Sequence, residues 1–386
     1  MNRYFTRNAV RFEKMNELTE DIFKLSGMRS INIFINVDFL FQKLKNPHIN
    51  EVFQCVGTDA GRKLASCLIN LFAHYKQWAI RRNVRVKVFG FWTSKKVGFD
   101  NSIFIPDYRD YYAERCSFVL SDYFYINKAI YEGMPLVSTI CDHIDNVYMI
   151  DSQFVEPSII PYIINKHVNR ADWNFIISRD PYDLQYVNVD RFSIICPIKT
   201  KTEEDKRKLL DYNTEDLSFM ITRSNLWRSI KSMSNFKSDL KDNNYFIPTL
   251  YPLCLAAVGE KHRSIQPVSQ FSWPKIIKTL NSIHDECDAG FSEDTVRSEF
   301  LKKFKKTNTS IEKLNNNVRA ISIFTNYNNT ATTSIELIKS QIVDKPDYEN
   351  LYELNNNPAY FASYPLNIQF LAMDLRKAEV DNSIYK

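Results

Sequence analysis

The stretch Ile31-Asn-Ile-Phe-Ile-Asn-Val-Asp-Phe-Leu-Phe41 decides how this chain folds. It is an apolar run of β-type residues that leads into Gln42 and Lys43, and it reads as a buried strand. Downstream, residues 61–82 carry apolar side chains at helical spacing and end in Arg81 and Arg82, the charge a helix carboxyl end prefers. Asn83 follows, and Val84-Arg-Val-Lys-Val-Phe-Gly-Phe-Trp92 then alternates as a second strand. A strand, a helix and a strand at this separation form a βαβ unit, so the spacing predicts a parallel sheet.

The rest of the chain extends that pattern. Residues 1–29 read as helical and partly amphipathic, and 106–131 as an aromatic-rich helix or arch-like excursion. Residues 156–167 form a short helix with Pro157 in its first turn. Phe175-Ile-Ile-Ser178 and Phe192-Ser-Ile-Ile-Cys196 are two further buried strands. Residues 201–245 are charged and read as mostly helical; 247–287 read as helices around a polar turn at Gly259–Gln266. Beyond about residue 290, KKFKK and several Asn runs punctuate helical pieces. The expected division is an N-terminal extension over 1–29, an α/β domain over 30–290 and a helical region over 291–386.

Composition bounds the function. The chain has 386 residues, 44% of them hydrophobic and 14% aromatic, enough for a sizeable core. A net charge of +5 suits a nucleic-acid partner without demanding one. Seven scattered cysteines, none at C-x-x-C spacing, argue for reduced thiols in a cytosolic compartment over a zinc site or a disulfide framework. No apolar leader or membrane-length run is visible, so a cytoplasmic protein is expected, in the host cytoplasm if the source is viral. Abundant Asn, Ile and Lys suggest an AT-rich coding genome, such as a virus carries. Only eight glycines occur, so glycine-rich phosphate cradles are scarce.

Six segments, taken in order over residues 31–280, resemble the layout of the flap-endonuclease or 5′-nuclease (PIN-like) superfamily. Phe34-Ile-Asn-Val-Asp-Phe-Leu-Phe41 matches the opening L-I-D-G-N-N-L-L strand. Val86-Lys-Val-Phe-Gly-Phe-Trp92 matches the strand that ends in an F-D-G-like turn. Pro106-Asp-Tyr-Arg-Asp-Tyr-Tyr112 is similar to the P-x-Y-K-x-x-R entry to the helical arch. Glu156-Pro-Ser-Ile-Ile-Pro-Tyr162 stands for the E-A-D-D-x-I-A helix, and Ser178-Arg-Asp-Pro-Tyr-Asp-Leu-Gln-Tyr186 for S-x-D-x-D-x-x-Q-L. Val258-Gly-Glu-Lys-His-Arg-Ser-Ile-Gln-Pro-Val268 resembles V-G-D-K-S-D-N-I-P-G-V.

The resemblance implies a twisted, mainly parallel α/β sheet flanked by helices, with a helical C-terminal region. It also implies phosphodiester hydrolysis with two divalent ions, Mg²⁺ or Mn²⁺, held by many carboxylates. Here the acids are thinned. Asn36 stands at the first family aspartate, with Asp38 two residues on and on the same face if the strand continues. Gly90 or Phe91 stands at the second. Glu156 is kept, but Ser158 and Ile159 replace the two acids after it. Asp180 is kept, Tyr182 replaces its partner, and Asp183 lies one position out of phase. Glu260 stands at the last metal-binding position. The expected metal residues are therefore Glu156, Asp180, Asp183, Glu260 and Asp38, as a vestigial or weak site.

The helix–hairpin–helix equivalent, Pro267-Val-Ser-Gln-Phe-Ser-Trp-Pro-Lys-Ile276 in the degenerate stretch 247–287, has no glycine to bring backbone amides onto a phosphate. Arg109, Lys261, His262, Arg263 and Lys275 are the candidate phosphate contacts. The expected function is a catalytically degenerate 5′-nuclease-like subunit of a replication, transcription or packaging assembly, with protein partners and with DNA left open. A divergent metal-dependent 5′-nuclease and a purely structural interaction module are the alternatives.

Overall fold

The computed structural model describes residues 29–38, 60–80, 83–93, 124–142, 144–152, 155–178, 180–197, 218–221, 248–260, 265–268, 271–286, 292–304 and 308–342, with positions 40, 54, 226 and 230. Strands β1 (Ser30–Asn36), β2 (Arg85–Trp92), β3 (Val147–Asp151), β4 (Trp173–Ile177) and β5 (Phe192–Pro197) are all parallel, and β6 (Ser218–Ile221) closes the sheet antiparallel to β5. The strand order is β3-β2-β1-β4-β5-β6. Helix α1 (Ala60–Ile80) crosses from β1 to β2, α2 (Phe124–Cys141) precedes β3, and α3 (Ile160–His167) crosses from β3 to β4. The expected α/β architecture, with a mainly parallel sheet between helical layers, is the one observed. The N-terminal extension and the arch-entry segment Pro106–Tyr112 lie outside the described residues, apart from Arg29.

Strand alternation divides the sheet residues between two cores. Ile31, Ile33, Ile35, Val88 and Phe175 face α1 and α2. Phe34, Phe89, Tyr148, Ile176 and Ile194 face α3 and the later helices. On that second face Phe34, Phe89 and Tyr148 stack across three strands, with ring centroids 5.2 and 5.1 Å apart. Polar residues also lie on this face. At the amino edge, Asn32 Nδ2 donates to Asn174 Oδ1 at 3.0 Å and Asn169 Nδ2 donates to Asn32 Oδ1 at 2.6 Å. Buried amides at such positions are tolerated because they satisfy one another.

Two strands escape the sequence pattern. Val147–Asp151 is only five residues long and buried on both faces, so it shows no alternation. Ser218–Ile221 sits within a charged stretch expected to be mostly helical, and it is a strand because the edge of β5 offers it hydrogen bonds.

After β6 the chain forms α4 (Tyr251–Val258), α5 (Trp273–Glu286), α6 (Glu293–Phe304), α7 (Asn308–Ile321), α8 (Ile323–Asn329) and α9 (Thr332–Ser340). Residues beyond 290 share the α3-side core, to which Val296, Phe300, Leu314, Ala320, Ile321, Ile323 and Ile338 contribute. Gln185 ties them in. Its Nε2 donates to Ile321 O at 2.9 Å and Tyr182 O at 3.1 Å, and its Oε1 accepts from Ile323 N at 3.3 Å. Gln185→Ala strands buried backbone groups at the α7–α8 junction, and urea titration is expected to show a loss of about 2–3 kcal/mol. Gln341 holds the other end, giving and taking one hydrogen bond with the Asp151 backbone at 2.9 and 2.8 Å and so covering edge strand β3.

Candidate functional site at the carboxyl edge of the sheet

In a doubly wound sheet, ligands gather where the strand order reverses, outside the carboxyl ends of the strands. Here the chain winds outward through β1, β2 and β3 on one side and β4 and β5 on the other, so the reversal lies between β1 and β4. Asn36 ends β1 and Ser178–Asp183 follow β4, and both border that crevice. Five acids belong to this end of the molecule or its covering helices: Asp38, Glu156, Asp180, Asp183 and Glu260, exposed by no more than 7%.

Each is placed by a local device. β1 ends at Asn36, and Val37 and Asp38 already have helical backbone. Asp38 therefore does not take the strand position two residues after Asn36, and the same-face argument for it fails. Glu156 precedes a 3₁₀ turn (Pro157–Ile159) and its carbonyl accepts from Ile159 N at 3.0 Å. Asp180 shapes its own turn: its Oδ1 accepts from Tyr182 N at 2.9 Å, and its N donates to Ser178 Oγ at 2.9 Å. Such Asx-type bonds are a short acid's usual structural use. Asp183 Oδ2 accepts from Asn36 Nδ2 at 2.8 Å across the switch point. Glu260 is clamped by paired backbone bonds to Ile265, at 2.8 and 3.0 Å. Gly259 precedes it with φ of 78°, and a Cβ there would meet Ile265 O at 2.5 Å, so glycine is required.

The residues that stand where the family places acids lie within the core. Phe91 is fully buried and pairs in register with Asn36, while Ile159 and Tyr182 are also fully buried. The Tyr182 hydroxyl donates to Ala320 O and so pins α7. The Ser158 hydroxyl is buried without a hydrogen-bond partner among the described residues.

Two tyrosines that the sequence reading did not single out complete the site. Tyr251 opens α4, and its hydroxyl donates to Pro181 O at 2.7 Å. Burial pushes its pKa well up, and the charges of Asp180, Glu260 and Asp183 push it the same way, as does Cys254. Tyr186 is raised first by burial and then by Asp183, and it donates to Ser158 O at 2.6 Å. Both hydroxyls are thus held protonated as donors in an acid-rich field. No sequence signal marks Tyr251, because only the packing of α4 brings Asp180, Asp183 and Glu260 within its reach.

The donors do not fit a two-ion site. Among the described residues no three His, Cys, Asp or Glu side chains come together as a metal-holding group. Asp180 and Asp183 already spend oxygens on a backbone amide and on Asn36. Of the expected phosphate contacts, Arg109, Lys261, His262 and Arg263 lie outside the described residues. Lys275 is exposed in the first turn of α5, with its Nζ 4.8 Å from the centroid of the Phe271 ring. That helix starts at Trp273, whose ring stacks 6.0 Å from Tyr251. No helix among the described residues is long and apolar enough to cross a membrane.

No protein-family model matches the chain, and no curated protein matches it. Among solved structures it is similar to a bacteriophage T5 flap endonuclease in a pseudo-enzyme–product complex with DNA and metal ions. The identity is 12%, the match covers 90% of this chain and 98% of that one, and the TM-score is 0.47. It is also similar to the T5 5′-exonuclease with bound zinc ions, at 11% identity over 82% of this chain and 100% of that chain, with a TM-score of 0.45. At these values the likeness carries no conclusion about what this chain binds or cuts.

Proposed function

We propose that the protein is a catalytically degenerate 5′-nuclease-like subunit that binds nucleic acid within a larger assembly. The observation that carries this reading is the Asn36–Asp183 hydrogen bond at the switch point. Where the resemblance calls for an aspartate, an amide donates a hydrogen bond to the neighbouring carboxylate. With Asn in place of Asp the pair carries one negative charge fewer, and the hydrogen bond holds the two side chains together without a bridging cation. Phe91, Ile159 and Tyr182 support the same reading, because apolar burial at three further acid positions lowers the charge available to ions. DNA, protein partners of a replication, transcription or packaging assembly and a host-cell cytoplasmic location complete the proposal.

The alternative is a divergent metal-dependent 5′-nuclease. Glu156, Asp180, Asp183 and Glu260, with Asp38 nearby, would then hold one Mg²⁺ or Mn²⁺ weakly.

Incubating the full chain with flap, nicked and single-stranded DNA in Mg²⁺ and in Mn²⁺ separates the two. The expected result is salt-sensitive binding without cleavage. Cleavage that disappears in Asp180→Asn would establish the second reading and remove the first. An absence of binding at low salt would leave a purely structural module.

A further inference from the structure

Helix α7 meets two acid-bearing segments at once. Its buried stripe is Leu314, Asn317, Ala320 and Ile321, at the three- and four-residue spacing of one helix face. Within that stripe, Asn317 Nδ2 donates to Ala256 O at 2.8 Å and to Gln266 O at 2.9 Å. Ala256 lies in the last turn of α4, where carbonyls lack partners within their own helix. Gln266 follows the Glu260–Ile265 bridge, and Val268 N returns to Ala257 O at 2.9 Å. One side-chain amide therefore closes the end of α4 onto the loop that carries Glu260.

The carboxyl end of α7 is closed by the other segment. Ala320 O accepts from the Tyr182 hydroxyl, and Ile321 O accepts from Gln185 Nε2 at 2.9 Å. Tyr182 and Gln185 bracket Asp183 in the turn that Asp180 opens. The Asp180 turn thus caps α7, and α7 holds the Glu260 loop through Asn317. Four residues separate Asn317 from Ile321, about 6 Å of helix rise, so one rigid turn carries both contacts. Tyr182, Gln185 and Asn317 are all buried. Withdrawing either segment therefore strands polar groups away from water. Helix α8 continues this unit onto the Pro157–Ile159 turn beside Glu156.

We propose that α7 is a clamp that couples the Asp180–Asp183 turn to the Glu260 loop, with Asn317 and Gln185 as its positioning residues. The two segments loosen and tighten as a unit, and the helices beyond residue 290 set the geometry of the carboxyl edge. The role of the clamp rests on the reading of that edge as the functional site. The coupling itself requires no metal, nucleic acid or cleavage.

The test is hydrogen exchange of the full chain, read by mass spectrometry with neither metal nor nucleic acid added. Asn317→Leu keeps the side-chain volume and removes both donors. It is expected to speed exchange about tenfold or more at the amides of Ile265 and Val268, and also at those of Tyr182 and Asp183 at the far end of the clamp. Gln185→Ala should act in the reverse direction and speed exchange at Ile265 and Val268, since coupling between sites is reciprocal. Ile69→Ala, in the core on the opposite face of the sheet, also lowers stability and is the control. It should leave both segments unchanged. A response confined to the segment beside each substitution would overturn the clamp. So would an equal response to Ile69→Ala, because exchange would then report general unfolding. If Asn317→Leu does not fold, Gln185→Ala decides alone. DNA binding and cleavage bear only on the proposed function, so the two proposals fail separately.

Discussion

Gly90→Asp is expected to unfold the protein rather than return a carboxylate to the site. Gly90 lies in β2, between β1 and β3, in register with Ile35 and Met149. A Cβ there would sit 2.6 Å from Phe72 Cζ and 2.8 Å from Met149 Sδ. Phe72 is a fully buried residue of α1, so it cannot swing into solvent to make room. Overpacking of this kind costs about 1–3 kcal/mol. A carboxylate aimed into an apolar core adds several kcal/mol more, either as an unpaired charge or as a forced protonation. Together these reach a large part of a typical stability of about 5–15 kcal/mol. Circular dichroism and urea titration should show Gly90→Ala folded but weakened, and Gly90→Asp largely unfolded at neutral pH. An Asp variant with the natural midpoint would refute the close packing of α1 on β2.

Asn36→Asp is the second large effect, and its sign depends on conditions. The substitution removes the amide donor and sets two buried carboxyl groups at hydrogen-bond distance, 2.8 Å in the natural pair. Two like charges that close cannot both ionise freely, so one carboxyl pKa rises. Neutral-pH stability should fall by about 3–5 kcal/mol, the usual cost of leaving a buried charge uncompensated. The pH dependence follows from the direction of that shift. A carboxyl raised in the folded state holds its proton where the unfolded chain has lost it. Relative to the natural chain, the variant should therefore hold up best near and below the unfolded aspartate pKa of about 3.9, and lose stability as pH rises through its folded value. Mn²⁺ provides the other lever. If the neighbouring acids can complete a coordination sphere, millimolar Mn²⁺ should raise the variant's melting temperature and leave the natural chain's unchanged. Equal melting curves for the two chains in chelator would mean that the Asn36–Asp183 contact contributes nothing.

How legible the fold was depended on how each element is stabilised. β1, α1, β2, α3, β4 and β5 were readable because each carries its burial pattern in its own residues, as in Ile31, Ile33, Phe34 and Ile35. β3 and β6 were not, because β3 is buried on both faces and shows no alternation, and β6 lies in a charged stretch and forms on the open edge of β5. The acids divide in the same way. Their presence at positions 156, 180, 183 and 260 was plain in the sequence. Their use was not, since Asp180 capping Tyr182 N and Asp183 accepting from Asn36 are facts of geometry. Asp38 was placed by assuming that a strand continues, and the helical backbone at Val37 and Asp38 ends it earlier.

By itself, then, the sequence determined a parallel α/β sheet and the thinning of its carboxylates, because hydrophobic period and residue identity are local properties. Only the tertiary structure decided which acids meet what. It set Asn36 against Asp183, placed Tyr251 among Asp180, Asp183 and Glu260, and brought α7 and α8 onto Tyr182 and Gln185. Contacts such as Asn36–Asp183 and Gln185–Ile321, more than a hundred positions apart, depend on strand order and crossover direction, and no window of sequence contains them.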